Sequence, residues 1–330
     1  MREELMLFAG VAWSERGFAV EIVDDEGSSA APSRRFTGGQ LSSLVEHLTG
    51  CAVAVESTNG VLDGSLMDAG LLVRRVDPAG LPPRPPFGSA PAAVLAECAR
   101  RGQGTELTRA GGSLTGRDRD ADAAAETAGP RLEHARRDRP VVALTFDDGP
   151  HPRNTTAILD VLDRHRVPAT FFCVGVNTIG QAELVARVAE RGHEIANHTW
   201  SHPFLPDLTA AEAVAQLART RDALGEITGA TTRWVRPTYG AISASVERAW
   251  AAQPETVVCW DVDSNDWATP GVAAIVGNVL GAVRPGSVIL MHDGGGDRSQ
   301  TAAALPEIIE GCRALGLDFA RMSDCQWQAR

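Results

Sequence analysis

From Pro140 to the C-terminus, short apolar runs alternate with longer helical segments, and this alternation limits the available folds more than any other feature of the chain. The apolar runs fall at 141–146, 169–174, 194–197, 233–236, 256–261, 287–291 and 317–321. Between them, Asn154–His165 and Gln181–Arg191 have helical spacing, and Gly192 stands where a left-handed glycine closes a helix. Thr209-Ala-Ala-Glu212 reads as a capping box opening a helix to about Gly225. Thr269 and Pro270 read as the N-cap and first residue of a helix ending near Val283. Strands separated by helices pair in parallel, because only a long crossover returns the chain in the same direction. The expectation is an α/β fold whose sheet closes as a barrel. In such barrels the chemistry gathers at the C-terminal ends of the strands.

The first 139 residues follow a different pattern. LMLFAGVAW (5–13) and FAVEIV (18–23) read as strands joined by a turn at Glu15–Gly17. A helical segment at Gln40–Leu48, the buried strand CAVAVE (51–56), a turn at Asn59–Gly60, a helix at Leu62–Gly70 and a strand at Leu71–Val76 complete a small α/β domain over residues 1–80. Residues 81–139 read as a Pro/Gly/Arg-rich linker with one short helix at 91–101, stopped by Gly102. From 102 to 139, few large apolar side chains are present to offset the entropy of ordering.

Composition removes several classes of function. The formal net charge is −11, which opposes binding to nucleic acid or anionic membranes. All 31 basic residues are arginine. Six scattered cysteines lack the spacing of a zinc knuckle or a disulfide framework and read as free thiols in a reducing compartment. No apolar run reaches the ~18 residues of a membrane span, and the N-terminus lacks a basic leader, so the expected location is cytoplasmic.

Five polar clusters follow five of the C-terminal strands. The first strand runs into Asp147-Asp148-Gly149-Pro150, two adjacent carboxylates whose side chains leave the strand on opposite sides. Alone, this is as readily an Asx-type turn. The third ends in His198-Thr199-Trp200-Ser201-His202, an i, i+4 pair that can chelate one ion from a helical turn; with Asp148 it makes a two-His, one-carboxylate set. Arg236-Pro237-Thr238-Tyr239-Gly240, Asp263-Ser264-Asn265-Asp266-Trp267 and Leu290-Met291-His292-Asp293 follow. Singly, each could be a surface charge, a core aromatic or a loop residue. Together, in one fold position, they read as a site.

TFDDGP, HTWSH, RPTYG, DSNDW and LMH resemble, in order, the five motifs of the NodB-type polysaccharide deacetylases, carbohydrate esterase family 4, over about Val141–Asp324. Thr238 departs from the family's usual proline. The resemblance implies a distorted (β/α)7–8 barrel, the NodB homology domain, over residues 140–330. It implies a metal-dependent hydrolase acting on carbon–nitrogen bonds other than peptide bonds. Asp148, His198 and His202 would bind a divalent metal, most often zinc. Asp147 would be the base acting on metal-activated water and His292 the acid for the departing amine. The Tyr239 backbone N–H would steady the oxyanion. Arg236 and Asp263 would orient the base and the acid, and Trp267 and Leu290 would line the acetyl pocket.

The first 80 residues resemble a degenerate RNase H-like transposase domain, retaining Glu56 but carrying Ala12 where that family has an acid, so a two-metal nuclease site is not expected. Three functions stay open. The chain could be an N-deacetylase of an N-acetylated amino sugar or small N-acyl compound, an O-acetyl esterase on acetylated carbohydrate, or a non-catalytic binding protein. The expected partners are a small-molecule or oligosaccharide N-acetylated substrate and a second copy forming a homodimer through the N-terminal domain, with no nucleic acid and no membrane. Asp148→Ala and His198→Ala are predicted to lose metal, whereas Asp147→Asn keeps it and loses turnover. Metal analysis of the purified variants checks this, and a metal-free Asp147→Asn protein overturns the assignment.

Overall fold

Side chains alternate across a strand, and in the C-terminal half this places two sets of apolar residues on the two faces of one sheet. The computed structural model describes residues 6–14, 17–36, 40–56, 62, 66–67, 69–76, 81–82, 89–110, 113–116, 132–178 and 180–327. The chain divides into two units, Met1–Ala121 and Asp122–Arg330. Among the described residues, no helix is long and apolar enough to cross a membrane.

The first unit holds β1 (Leu7–Ser14), β2 (Gly17–Val23), β3 (Ser29–Phe36), α1 (Leu41–His47), β4 (Cys51–Glu56), β5 (Leu72–Val76), α2 (Ala92–Arg100), β6 (Thr105–Ala110) and β7 (Ser113–Gly116). The sheet order is β3-β2-β1-β4-β5-β6-β7. β1 to β3 form an antiparallel meander, and β4 and β5 continue in parallel from β1. Where composition suggests a linker over 81–139, the described segments 89–110 and 113–116 supply a packed helix and two strands of this unit's sheet. α2 packs Leu95, Cys98 and Ala99 against Ala54 and Val76, and β6 extends the sheet from β5. An apolar helix stripe needs a partner surface, and local proline content does not reveal it. The turn residues 15–16 and 59–60, most of the 62–70 helix, and stretches 83–88 and 117–131 lie outside the described residues.

The second unit holds β8 (Val141–Asp147), α3 (Asn154–His165), β9 (Thr170–Cys173), α4 (Ala182–Glu190), β10 (Glu194–Asn197), α5 (Ala210–Thr228), β11 (Trp234–Val235), α6 (Ala244–Trp250), β12 (Thr256–Val257), β13 (Val262–Asp263), α7 (Val272–Ala282), β14 (Val288–His292), α8 (Ser299–Ala314) and β15 (Asp318–Phe319). Leu144, Phe146, Phe171, Ile289 and Met291 face outward to Ile158, Leu162, Val279 and Ile308 of the helices. The intervening residues Ala143, Phe172, Ala196 and Val288 face inward, onto Leu132, Trp234 and Met322. Each fully buried Leu, Ile or Phe contributes roughly 1.5–3 kcal/mol.

The parallel sheet is curled but not closed, a half-barrel with order β12-β11-β10-β9-β8-β14-β13 and β15 beside β8. The single strand expected at 256–261 is two, β12 and β13, placed at opposite edges. Four residues join them, too few for the crossover of ten or more that parallel neighbours require. Residues 132–135 occupy the seam instead. Leu132 pairs with Val258, His134 with Ser287 and Ala135 with Trp327.

The helix punctuation is as expected at two places. Thr209 and Glu212 form a reciprocal capping box, and Gly192 is left-handed at φ 85. At the third, α7 starts later than Thr269-Pro270 suggests, with Gly271 as its N-cap; Thr269 instead ends a 3-10 turn at φ 50.

Gly10 marks the closest packing in the first unit, because a Cβ there would run into the Ala92 carbonyl and the Ala96 amide of α2. Gly10→Val is expected to cost the unit about 1–3 kcal/mol by forcing α2 from β1. Hydrogen exchange of the β1 and α2 amides reads this, and wild-type protection in the variant would refute the packing argument.

Candidate active site

β8 and β14 are ladder neighbours, and their last residues, Asp147 and His292, stand side by side at the C-terminal edge of the sheet. Asp148 leaves the strand in a left-handed conformation, φ 74, which turns its carboxylate away from that of Asp147. Asp147 Oδ1 accepts from Arg236 Nη1 at 2.7 Å, and Oδ2 lies 3.6 Å from His198 Nε2. Arg236 is fully buried. Its guanidinium also donates to Thr145 Oγ1 and to the Cys259 carbonyl, and lies 4.1 Å from the centre of the Phe172 ring. It holds the Asp147 carboxylate in place.

Asp148 Oδ1 is 3.4 Å from His198 Nε2 and 3.0 Å from His202 Nε2. Among the described residues, these three form the one His/Cys/Asp/Glu cluster whose donor atoms converge, all within 4.8 Å of one another. Asp148 Oδ1 is buried without a well-directed hydrogen bond. His198 turns its Nδ1 to the Arg236 carbonyl at 2.9 Å, which leaves Nε2 for a ligand. A buried carboxylate oxygen facing two imidazole nitrogens fits a divalent metal. Burial works to raise the Asp148 pKa, but the facing His202 and His198 hold it well below the ordinary carboxylate range. The histidines do not share a helical turn. The segment between them is a bent loop, with Thr199 at φ 68 and His202 at φ 55.

His292 is oriented by Asp266, not by Asp263. His292 Nδ1 is 2.7 Å from Asp266 Oδ1, and Asp266 Oδ2 accepts from the His292 amide and from Thr301. Asp263 Oδ1 accepts instead from the Asn265 amide at 2.8 Å, closing the turn. Register explains the correction. Asp263 is level with Leu290, two residues short of His292, and Asp266 on the following 3-10 turn comes level with the imidazole. Burial would lower the His292 pKa, but Asp266, with help from Asp148, raises it to about 9.

Tyr239 is left-handed at φ 60, and its ring meets the edge of His202 at 4.8 Å and Phe204 at 5.8 Å. Leu290 is buried on β14, on the same side of the strand as His292, and Trp267 is half-buried beside Asp266. The six cysteines form no disulfide; Cys173 is buried and Cys259 half-buried, and neither joins the ligand cluster.

A family model described as polysaccharide deacetylase matches residues 134–257. A chitooligosaccharide deacetylase of Bradyrhizobium sp. (strain ANU 289) is 42% identical over 190 residues, covering 54% of this chain and 87% of that protein. The chain belongs to the polysaccharide deacetylase family. A peptidoglycan-N-acetylglucosamine deacetylase of Bacillus cereus is 40% identical over 183 residues, covering 55% of this chain and 66% of that protein. A crystal structure of a peptidoglycan N-acetylglucosamine deacetylase shares 35% identity at a TM-score of 0.59, over 61% of this chain and 95% of that one. A CE4 family pseudoenzyme from Bacillus anthracis, at 24% identity and a TM-score of 0.56, covers 60% of this chain and 69% of its own, and shares the fold.

The sequence reading gives no role to two buried residues next to these groups, Asp293, the last residue of its strand-end cluster, and Arg298. Asp293 is buried beside the metal ligands, with Oδ2 accepting from Thr155 Oγ1 and Oδ1 unpartnered. Burial and repulsion from Asp148 and Asp147 push its carboxyl up to about 7. Gly149 allows this approach, since a Cβ there would collide with the Asp293 carboxyl. Arg298, also buried, donates to the carbonyls of Gly294, Gly295 and Asp297 and fixes the glycine loop after His292. The adjacency of Asp293 to His292, and a lone arginine after three glycines, were the available signals.

An acid held protonated to about pH 9 works below that pH and fails as pH rises through it. Asp266→Asn is expected to lower kcat by roughly 100-fold and to move the alkaline limb of the rate profile toward neutrality. Asp263→Asn should leave that limb in place. A pH–kcat series on both variants checks the assignment, and an alkaline limb that moves only in Asp263→Asn reverses it.

Proposed function

We propose that the second unit is a zinc-dependent N-deacetylase that hydrolyses the acetamide of an N-acetylated amino sugar. The observation that carries this is the ladder pairing of Asp147 with His292. It sets a carboxylate base and an imidazole acid side by side at one sheet edge, next to the converging Asp148, His198 and His202 donors. Asp147, His292, Asp148, His198 and His202 together supply a carboxylate, an imidazole and three converging donors, which supports catalysis over a non-catalytic binding role.

A bound divalent metal supplies Lewis acidity at this edge, polarising the acetyl carbonyl and lowering the pKa of water toward ~7. Asp147, fixed through Oδ1 by Arg236, takes the proton from the attacking water on Oδ2. His292, charged and pinned by Asp266, gives a proton to the departing amine, without which an amide anion would have to leave. Trp267 and Leu290 border the acid, where an acetyl methyl would be sheltered. The curated relatives are named for N-acetylglucosamine and chitooligosaccharide substrates, which supports an amino sugar over an O-acetyl ester.

For the first unit, we propose a degenerate RNase H-like module without nuclease chemistry. Its antiparallel meander followed by parallel strands supports the resemblance, and Glu56 supports the loss of function. That carboxylate is buried and accepts the Ala90 amide at 2.5 Å, a structural task.

Acetate release from a panel of N-acetyl sugars, chitooligomers and acetyl esters, after chelation and after zinc addition, tests the proposal. Zinc-restored acetate from the N-acetyl compounds is expected. Acetate from esters alone would replace the N-deacetylase with an esterase.

A further inference from the structure

The two histidine ligands are four residues apart, yet no helix holds that spacing. Thr199 and His202 both sit in the left-handed region. Such conformations are strained for residues with a side chain and persist only where surroundings impose them. The backbone between the ligands must therefore be fixed from outside the loop.

The hydrogen bonds identify what fixes it. The His198 amide donates to the Cys173 carbonyl, and the Thr199 and Trp200 carbonyls accept from Gly175 and Val176. Asn197 Oδ1 accepts the Thr199 amide at 3.0 Å. The next two amides, Trp200 and Ser201, both donate to one atom, Gln216 Oε1 on α5, at 2.9 Å each. Gln216 Nε2 in turn donates to Ser201 Oγ at 3.0 Å. One turn further along α5, Arg219 lies 3.8 Å from the centre of the Trp200 ring. Helix α5 thus grips the midpoint of the loop through a single carboxamide oxygen that accepts two successive backbone amides.

We infer that Gln216 is a positioning residue for the metal site, acting through the Trp200–Ser201 peptide to hold His198 and His202 at chelating distance. The inference rests on the metal-site reading above. It makes metal affinity depend on an acceptor at position 216 that touches neither ligand nor substrate. A glutamate, which offers oxygens in the same place, preserves the grip. A methionine of similar length removes the acceptor and leaves two amides without it.

Competition between the protein and a chromophoric chelator for Zn2+ tests this, with no substrate present. Gln216→Met is expected to weaken zinc affinity by about 10–100-fold. Gln216→Glu should stay within about threefold of wild type, well inside the 10–100-fold range of a lost supporting contact. Leu162→Ala, a core truncation on α3, controls for stability: it should lower Tm and keep wild-type zinc affinity. Wild-type affinity in Gln216→Met, or an equal loss in Leu162→Ala, overturns the role of Gln216 while leaving the metal site standing. A wild-type protein that binds no zinc overturns the metal site itself.

Discussion

Arg236 carries a full positive charge with no exposed surface, and Asp147 answers it at 2.7 Å. Removing two charges from water costs several kcal/mol per ion, so such a pair persists only with good geometry and further partners. Arg236 has them in the Thr145 hydroxyl, the Cys259 carbonyl and the face of Phe172. Its own carbonyl accepts from His198 Nδ1. One residue therefore spans β8, β9 and the segment after β12, and sets both the base and the ligating tautomer of a histidine. Without it, Asp147 would be an uncompensated charge next to Asp148.

Four carboxylates crowd this edge of the sheet, and their partners separate their roles. Asp147 faces a guanidinium, Asp148 two imidazoles, Asp266 the His292 imidazole and a threonine, and Asp293 a threonine hydroxyl and the Gly149 amide. Environments that push similar groups in different directions are how one site holds an acid and a base at the same pH. Asp148 is held low by the facing His202 and His198 and Asp266 by His292, whereas Asp293, with burial and two neighbouring carboxylates against it, is pushed up to about 7. The carboxyl closest to neutral is the one the proposed chemistry does not use.

The parts of the site legible in the sequence are those where a polar residue at a strand end had no packing reason to be there. Asp147, Asp148, His198, His202 and His292 all belong to that class. Asp263 and Asp266 could not be told apart by type, because which of them meets His292 depends on strand register and a 3-10 turn. The strands themselves were readable from their apolar runs. Their closure was not, since pairing at a sheet edge leaves no mark in hydropathy and a two-residue strand barely registers. The same limit hid where α2 packs, since a short buried stripe after a run of prolines does not name its partner surface, and it hid the support of the histidine loop, which lies on another helix.

Residues 132–135 close the seam between β12 and β14 with backbone pairing, and Leu132 and Ala135 enter the inner core. None of the catalytic motifs lies there, so a fragment trimmed to begin at Pro140 would keep every reactive group. It would also leave the backbone of Val257 and Cys259 without the bonds Leu132 provides, above an uncovered apolar floor. Unpaired strand edges of that kind recruit other chains. The smallest soluble piece of this half of the molecule is thus defined by what seals its sheet, and it starts earlier than its chemistry does.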